Sequence, residues 1–138
     1  MSVIPMVAGA VVAGRFEIER AASSGGMGTV FRARDLRTKQ PVALKLLHPL
    51  LASGQDATRL MIESQFLAEL RHPHIVSYIA HGHTPNGHPF LAMEWLEGED
   101  LSQRLVRQPL TLRESLALIR GAAEGLAAAH RHGIVHRD

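Results

Sequence analysis

The sequence contains no cysteine among its 138 residues. This absence excludes disulfide bonds, thiolate metal sites and thiol catalysis within the chain. It also fits a reducing compartment, so we expect a cytoplasmic protein. Aromatic residues are scarce as well, at 4% of the chain, and the formal net charge is only +2. Because nucleic-acid binding needs basic and aromatic side chains interleaved on one surface, we expect no nucleic acid partner.

The sequence also lacks a long apolar run. Residues 1–14 carry no charged side chain, but Pro5 and Gly9 interrupt them and they are too few to span a bilayer. The first basic residue, Arg15, follows this stretch, whereas a secretory signal begins with its basic region. We therefore expect residues 1–11 to be a flexible lead-in and expect no membrane segment in this chain.

The rest of the chain has the composition of a folded domain, or part of one, with 46% hydrophobic and 20% charged residues. A period-two alternation over 15–20, a β-rich pattern over 29–35 and an apolar run over 42–47 predict three strands, and two short strands are predicted over 75–80 and 90–94. The pair Asn86-Gly87 indicates a hairpin between the last two strands. A helix is predicted from Asp56 to Leu70, with an inward stripe of Leu60, Glu63, Phe66, Leu67 and Leu70.

The pattern becomes helical after a short linker that begins at Trp95. Asp100 is typical of an N-cap and predicts a small helix over Leu101 to Arg107. Thr111 and Glu114 have the spacing of a capping box, which predicts a longer helix that Gly133 ends. Its apolar side chains are Leu112, Leu116, Ile119, Ala123 and Leu126.

A glycine-containing loop, residues 22–28, joins the first two predicted strands. Glycines let the backbone approach an anion and present N–H groups to phosphate. A dinucleotide-binding loop would open a helix, and a P-loop would place lysine after its last glycine, whereas Thr29 follows Gly28 here. Two interpretations stay open, a hairpin loop that covers a nucleotide's phosphates and a plain flexible turn.

Lys45 is one of only two lysines, and it lies inside the apolar run 42–47. A buried ammonium group needs a carboxylate or phosphate partner. Glu63 is the candidate, since it is the carboxylate on the inward stripe of the predicted helix. The alternative is that Lys45 lies on an edge strand with its ammonium group in water.

Histidines and an aspartate suggest two further sites. His81, His83 and His88 flank the predicted hairpin and could meet around a metal, but we expect them to be solvated turn residues. His136-Arg137-Asp138 follows the long predicted helix, where an aspartate could accept a hydroxyl proton. A tripeptide of this kind is common, so alone it indicates little.

Together and in this order, the motifs resemble the protein kinase superfamily, and in detail the bacterial serine/threonine kinases of the eukaryotic type. Ser23 to Asp35 is similar to the glycine-rich loop and second strand of these kinases, and Val42-Ala43-Leu44-Lys45 to their V-A-I-K strand. Glu63 lies where the helix glutamate belongs, and His136-Arg137-Asp138 opens the catalytic loop. The resemblance covers roughly residues 12–138.

The resemblance implies an α+β, protein-kinase-like fold. We expect a five-stranded antiparallel N-lobe sheet with one helix over 12–94, a hinge over 95–99, and the first helices of an incomplete helical C-lobe over 100–138. It implies ATP and Mg²⁺ as cofactors, and a protein with serine or threonine hydroxyls as substrate.

The resemblance also assigns roles to single residues. Asp138 would be the catalytic base, and Lys45, held by Glu63, would contact the α- and β-phosphates. Gly25, Gly26, Met27 and Gly28 would cover the phosphates. Ser23 and Ser24 of the same loop would belong to the nucleotide-binding residues. The adenine and ribose would be contacted by Ala22, Val30, Ala43, Met93, Glu94, Leu96 and Asp100.

Two departures from the family pattern bear on activity. Ser23 replaces the first glycine of the loop, which restricts the loop slightly. The sequence stops at Asp138, before the asparagine and the Asp-Phe-Gly that hold Mg²⁺ in the family. We therefore expect this chain alone to be inactive and phosphotransfer to need a complete domain.

Two other hypotheses follow. The chain could be a truncated product that serves only as a nucleotide-binding or interaction module, in which case the long helix would expose apolar side chains. A small-molecule phosphotransferase of kinase-like fold is a third interpretation, which the protein-kinase character of the glycine loop disfavours.

Overall fold

The computed structural model describes residues 7–26, 28–48 and 54–136. The chain forms two compact units. The first comprises Met1–Glu69 and Ser77–Trp95, and the second comprises Leu70–Val76 and Leu96–Asp138. We call them the first and second units.

Within the described residues, the first unit contains one antiparallel sheet of six strands in the order β1-β2-β3-β4-β6-β5. The strands are β1 Val11–Val12, β2 Phe16–Ser24, β3 Gly28–Asp35, β4 Pro41–Leu47, β5 Tyr78–His83 and β6 Pro89–Glu94. The predicted antiparallel sheet is confirmed, with one strand more than expected. The predicted hairpin is also present, since Gly87 has a φ of +79° and its N–H donates to the Thr84 carbonyl.

The additional strand, β1, arises because the chain turns back at Ala13 and Gly14, which both have positive φ. Val12 then pairs with Phe16, and its side chain is buried in the core. Two strand boundaries also differ from those predicted. β2 continues to Ser24 because it pairs with β3 up to Thr29. β5 begins at Tyr78 and not at Ile75, because the Ile75 N–H donates to the His72 carbonyl in a turn.

The main core lies against one face of the sheet. It contains Phe31 and Leu44 on adjacent strands, and the rings of Phe16 and Phe90 pack edge to face with centroids 5.9 Å apart. Asp35 lies beside this core, 1% exposed, and accepts two hydrogen bonds from the Arg15 guanidinium at 3.0 and 2.7 Å. These hydrogen bonds lower the pKa of Asp35 to about 2.

The helix of the first unit, α1, spans Gln55–Glu69, close to the predicted range. Leu60 is buried in a second cluster with Leu47 and Leu91, and Leu67 packs against this cluster. Ser64 is also buried, and its hydroxyl donates to the Leu60 carbonyl at 2.7 Å. The predicted inward position of Phe66 is wrong, because its side chain is 39% exposed.

The second unit contains α2, Leu101–Arg107, and α3, Leu112–Arg131. Both predicted N-caps are confirmed: Asp100 accepts from the Gln103 N–H at 2.8 Å, and Thr111 from the Glu114 N–H at 3.2 Å. Gly133, with a φ of +75°, follows the end of α3. No helix in the described ranges is both long and apolar enough to span a bilayer.

Large apolar side chains of α3 are exposed, among them Leu112 at 77% and Ile119 at 65%. The buried residues of this helix are Gly125 and Ala128. β-Carbons built on Gly121 and Gly125 would lie 3.3 and 3.1 Å from atoms of His74, so glycine at these positions lets the Leu70–Val76 segment pack closely against α3.

Candidate functional site

Strand register places four predicted site residues on one face of the sheet. Val30 of β3 lies opposite Lys45 of β4, and Ala43 of β4 lies opposite Met93 of β6. Ala43 and Lys45 are two residues apart on one strand, and directly opposite residues share a face. The four side chains therefore line the face opposite the one that carries Phe31 and Leu44.

Lys45 pairs with Glu63 of α1, as predicted. The Lys45 Nζ lies 3.7 Å from the Glu63 Oε2, with the side chains 25% and 48% exposed. The edge-strand alternative for Lys45 is wrong, because β4 lies between β3 and β6. The pair is solvated and contributes about 1 kcal/mol or less to stability. The Lys45 ammonium group is therefore accessible at the sheet surface, beside a carboxylate that orients it.

The predicted glycine loop closes a hairpin between β2 and β3. The last strand pairs are Ser23 with Val30 and Ser24 with Thr29, and the hydroxyls of Ser24 and Thr29 lie 3.2 Å apart. The Gly25 N–H donates to the Gly28 carbonyl at 2.9 Å. The predicted loop residue Met27 lies outside the described residues. Ala22 lies at an irregularity in the β2–β3 register and is exposed.

The three glycines of this loop differ in their surroundings. Side chains built on Gly25 and Gly26 would meet no heavy atom within 4 Å. A β-carbon on Gly28 would lie 2.2 Å from the Leu46 carbonyl oxygen. Gly25 and Gly26 therefore leave open space for a ligand beside the backbone, whereas Gly28 permits close packing of β3 against β4.

His48 contacts the loop in a way that the sequence did not indicate. Its Nε2 lies 3.1 Å from the Gly25 carbonyl oxygen and is within hydrogen-bond distance. His48 directly follows β4, and the contact depends on how β4 lies beside the β2–β3 hairpin. No local pattern around residue 48 signals this contact.

The predicted adenine-contacting segment begins at the end of β6. The Glu94 N–H donates to the Ser77 carbonyl at 2.9 Å, and the Glu94 carboxylate accepts from the Ser77 N–H at 2.7 Å. The Glu94 N–H is therefore already hydrogen-bonded within the first unit. In the second unit, Leu96 is exposed and the Asp100 carboxylate caps α2. Asp138, the predicted base, lies outside the described residues.

The three hairpin histidines do not gather around one point. Nδ1 of His81 lies 2.8 Å from the Tyr78 hydroxyl, and His83 is exposed. Nδ1 of His88 is buried without a hydrogen-bond partner. In the described ranges, no group of three or more histidine, aspartate or glutamate side chains could hold a metal ion.

Comparison with known proteins decides the family. A family model described as protein kinase domain matches residues 16–138. The chain belongs to the protein kinase family. The kinase chain is 38% identical over 133 residues to the probable serine/threonine-protein kinase pknA2 of Bifidobacterium longum. It is 37% identical over 131 residues to the serine/threonine-protein kinase PknL of Mycobacterium tuberculosis.

These matches cover nearly all of the kinase chain but only part of its relatives. They span 93% and 94% of this chain, yet 17% of pknA2 and 33% of PknL. The solved kinase domain of M. tuberculosis PknI has a TM-score of 0.81 at 31% identity, covering 96% of this chain and 53% of that one. The predicted protein-kinase-like α+β fold is confirmed.

Proposed function

We propose that this chain supplies the ATP-binding part of a kinase that phosphorylates serine and threonine hydroxyls of proteins. The observation that carries the proposal is the Lys45–Glu63 pair, 3.7 Å apart, on the sheet face that also carries Val30. Protein kinases use such a strand lysine and helix glutamate to hold the phosphates of ATP. The probable serine/threonine-protein kinase pknA2 and the serine/threonine-protein kinase PknL are similar over 93% and 94% of this chain.

The surroundings of the loop and lysine support nucleotide binding. Gly25 and Gly26 leave open space beside the backbone, which suits the close approach of a phosphate group. Lys45 would contact the α- and β-phosphates, and Glu63 would orient its ammonium group. Met27 and Gly28 would complete the cover over the phosphates, and Ser23 and Ser24 of the same loop would also contact the nucleotide.

Apolar side chains suited to a purine ring are present on the same sheet face. We assign Val30, Ala43 and Met93 to adenine, together with Ala22 beside the loop. Backbone groups of the Glu94–Leu96 segment would hydrogen-bond to adenine, and because the Glu94 N–H already donates to Ser77, its neighbours must supply donors. Asp100 would lie near the ribose in addition to capping α2.

We assign no Mg²⁺ ligand to the residues that the structure describes, because the family's asparagine and Asp-Phe-Gly motif are not among them. In protein kinases the metal neutralises charge that develops on the phosphates. Its ligands here would follow Asp138 in a complete domain. Asp138 would accept the proton of the substrate hydroxyl. We further propose an N-lobe over 12–94, a hinge over 95–99, the beginning of a C-lobe over 100–138, and a cytoplasmic location.

Two measurements test this function. The first is the intact mass of the polypeptide captured from its own cells with an antibody against residues 15–138. A mass well above 15.1 kDa is expected if the kinase domain continues. The second is phosphorylation by that longer protein, which Lys45→Met should abolish while its melting temperature stays within a few degrees. Full activity of Lys45→Met would overturn the assigned roles.

A second candidate function is a non-catalytic module that binds nucleotide or a partner. The exposed apolar side chains of α3, including Leu112, Leu116 and Ile119, favour it. A native polypeptide of 15.1 kDa that binds ADP without phosphorylating protein would support this function over the first.

A further inference from the structure

Trp95, the single tryptophan of the sequence, lies beside two arginines of the sheet. The guanidinium carbons of Arg20 and Arg32 lie 5.4 and 5.6 Å from the centroid of its ring. Both distances are within the range of a cation–π interaction. We call these three residues the arginine–tryptophan cluster. It lies entirely within the first unit.

The strand register places two like charges side by side in this cluster. Arg20 of β2 lies directly opposite Arg32 of β3, and like charges in that position repel. Glu19 reduces the repulsion, because its carboxylate pairs with Arg32 and also with Arg34 at 3.3 Å. The ring of Trp95 attracts both guanidinium groups through its electron-rich face. The cluster therefore joins β2 and β3 to the residue that follows β6.

Trp95 lies in the chain between the end of β6 and the beginning of the second unit. Glu94, the residue before it, is held to Ser77 through both its amide and its carboxylate. Leu96, the residue after it, is 65% exposed and begins the part of the chain assigned to the second unit. Trp95 therefore lies where the backbone leaves the sheet, directly after a residue that is hydrogen-bonded to Ser77.

We propose that the arginine–tryptophan cluster positions the backbone of residues 94–96 for nucleotide binding. The inference rests on the proposed function, in which these residues hydrogen-bond to adenine. Trp95 is a positioning residue, since its ring contacts the arginines and its effect on the nucleotide passes through the backbone. β2 and β3 also carry the glycine loop, so the cluster fixes the proposed adenine-binding backbone and the proposed phosphate-binding loop to the same two strands.

The test uses two readouts on the 138-residue chain, which are amide hydrogen exchange without nucleotide and ADP affinity by calorimetry. In the double variant Arg20→Gln/Arg32→Gln and in Trp95→Ala, we expect exchange at residues 95–97 to accelerate about fivefold, with residues 90–92 unchanged. We expect ADP affinity to fall by about the same factor. Trp95→Phe keeps an aromatic face and should retain affinity within about twofold of wild type.

Arg34→Gln is the control for the Arg32 substitution, because it removes one positive charge from β3 at a residue that pairs with Glu19 and not with the ring of Trp95. It should change neither readout. If wild type binds ADP but the cluster variants leave exchange and affinity unchanged, the positioning role is overturned while the proposed function stands. If Trp95→Phe loses as much affinity as Trp95→Ala, the arginine–ring contact is not the cause. A wild-type chain that binds no ADP would overturn the proposed function, and with it the role of the cluster in binding.

Discussion

The α-carbon of Gly28 lies so close to Leu46 that an added β-carbon would be 2.2 Å from the Leu46 carbonyl oxygen. The obstacle is backbone on β4 and cannot rotate away as a side chain could. Gly28 is paired with Leu47 as the first residue of β3. The third glycine of the loop is therefore required by strand packing, whatever part it has in contacting phosphate.

Gly28→Ala should destabilise the protein because the new methyl group forces β3 away from β4. We expect the free energy of unfolding to fall by about 1–3 kcal/mol, the range for a forced extra methyl group in a packed region. Urea unfolding followed by circular dichroism measures this. Gly26→Ala is the matched control, because a side chain there meets no atom within 4 Å. Equal unfolding midpoints for the two variants would contradict the packing role.

The substitution Glu63→Gln tests whether the Lys45–Glu63 pair acts mainly in nucleotide binding or mainly in the stability of the fold. Because Lys45 and Glu63 are 25% and 48% exposed, losing the pair should lower the unfolding free energy by about 1 kcal/mol or less. A neutral partner orients the ammonium group less well, so we expect ADP affinity of the 138-residue chain to fall about tenfold. Glu69→Gln, an exposed carboxylate on the same helix, should leave affinity unchanged. A large stability loss with unchanged affinity would indicate a structural pair only.

The carboxylate of Asp35 should make the free energy of unfolding depend on pH in the acidic range. Its hydrogen bonds from Arg15 lower its pKa from 3.8 to about 2, so the folded state favours the carboxylate. This contribution is complete above pH 3.8 and is lost as the pH falls toward 2. We expect the wild-type unfolding free energy to decrease by about 2 kcal/mol more than that of Asp35→Asn over this range. Urea titrations at several pH values measure the difference, and parallel pH profiles would rule out the role of this carboxylate.

The exposed apolar side chains of α3 should bind an apolar dye. We expect the 138-residue chain to bind anilinonaphthalene sulfonate, and Ile119→Lys, which replaces a side chain 65% exposed, to bind less of it. Ala117→Lys adds the same charge on the same helix without removing a large apolar side chain, and should bind as wild type. A chain that binds no dye and sediments as a monomer would contradict an accessible apolar surface.

Local patterns in the sequence predicted the elements whose residues determine their own conformation. The N-caps Asp100 and Thr111 and the Asn86-Gly87 turn act through neighbours a few residues away, and the structure contains all three. The Lys45–Glu63 pair could be predicted because an isolated cation in an apolar strand requires a partner, and few carboxylates could face it.

Features that depend on how strands lie side by side could not be predicted. β1 forms because Val12 pairs with Phe16 after a turn that contains Ala13 at positive φ, a conformation that alanine rarely adopts. The apolar character of Phe66 predicts an inward position, yet its side chain is exposed, and Ser64 lies on the buried face of α1. The contacts of His48 with Gly25 and of Trp95 with two arginines join residues far apart in sequence.

The course of the chain between the two units limits how the protein can be divided. The segment Leu70–Val76 lies in sequence between two parts of the first unit, yet His74 packs against α3, which begins about 40 residues later. An excised protein that ends at Trp95 would retain this segment without the helix that covers it. During synthesis, too, His74 leaves the ribosome before α3 does. Its contacts with Gly121 and Gly125 of α3 can therefore form only after translation has passed Gly125.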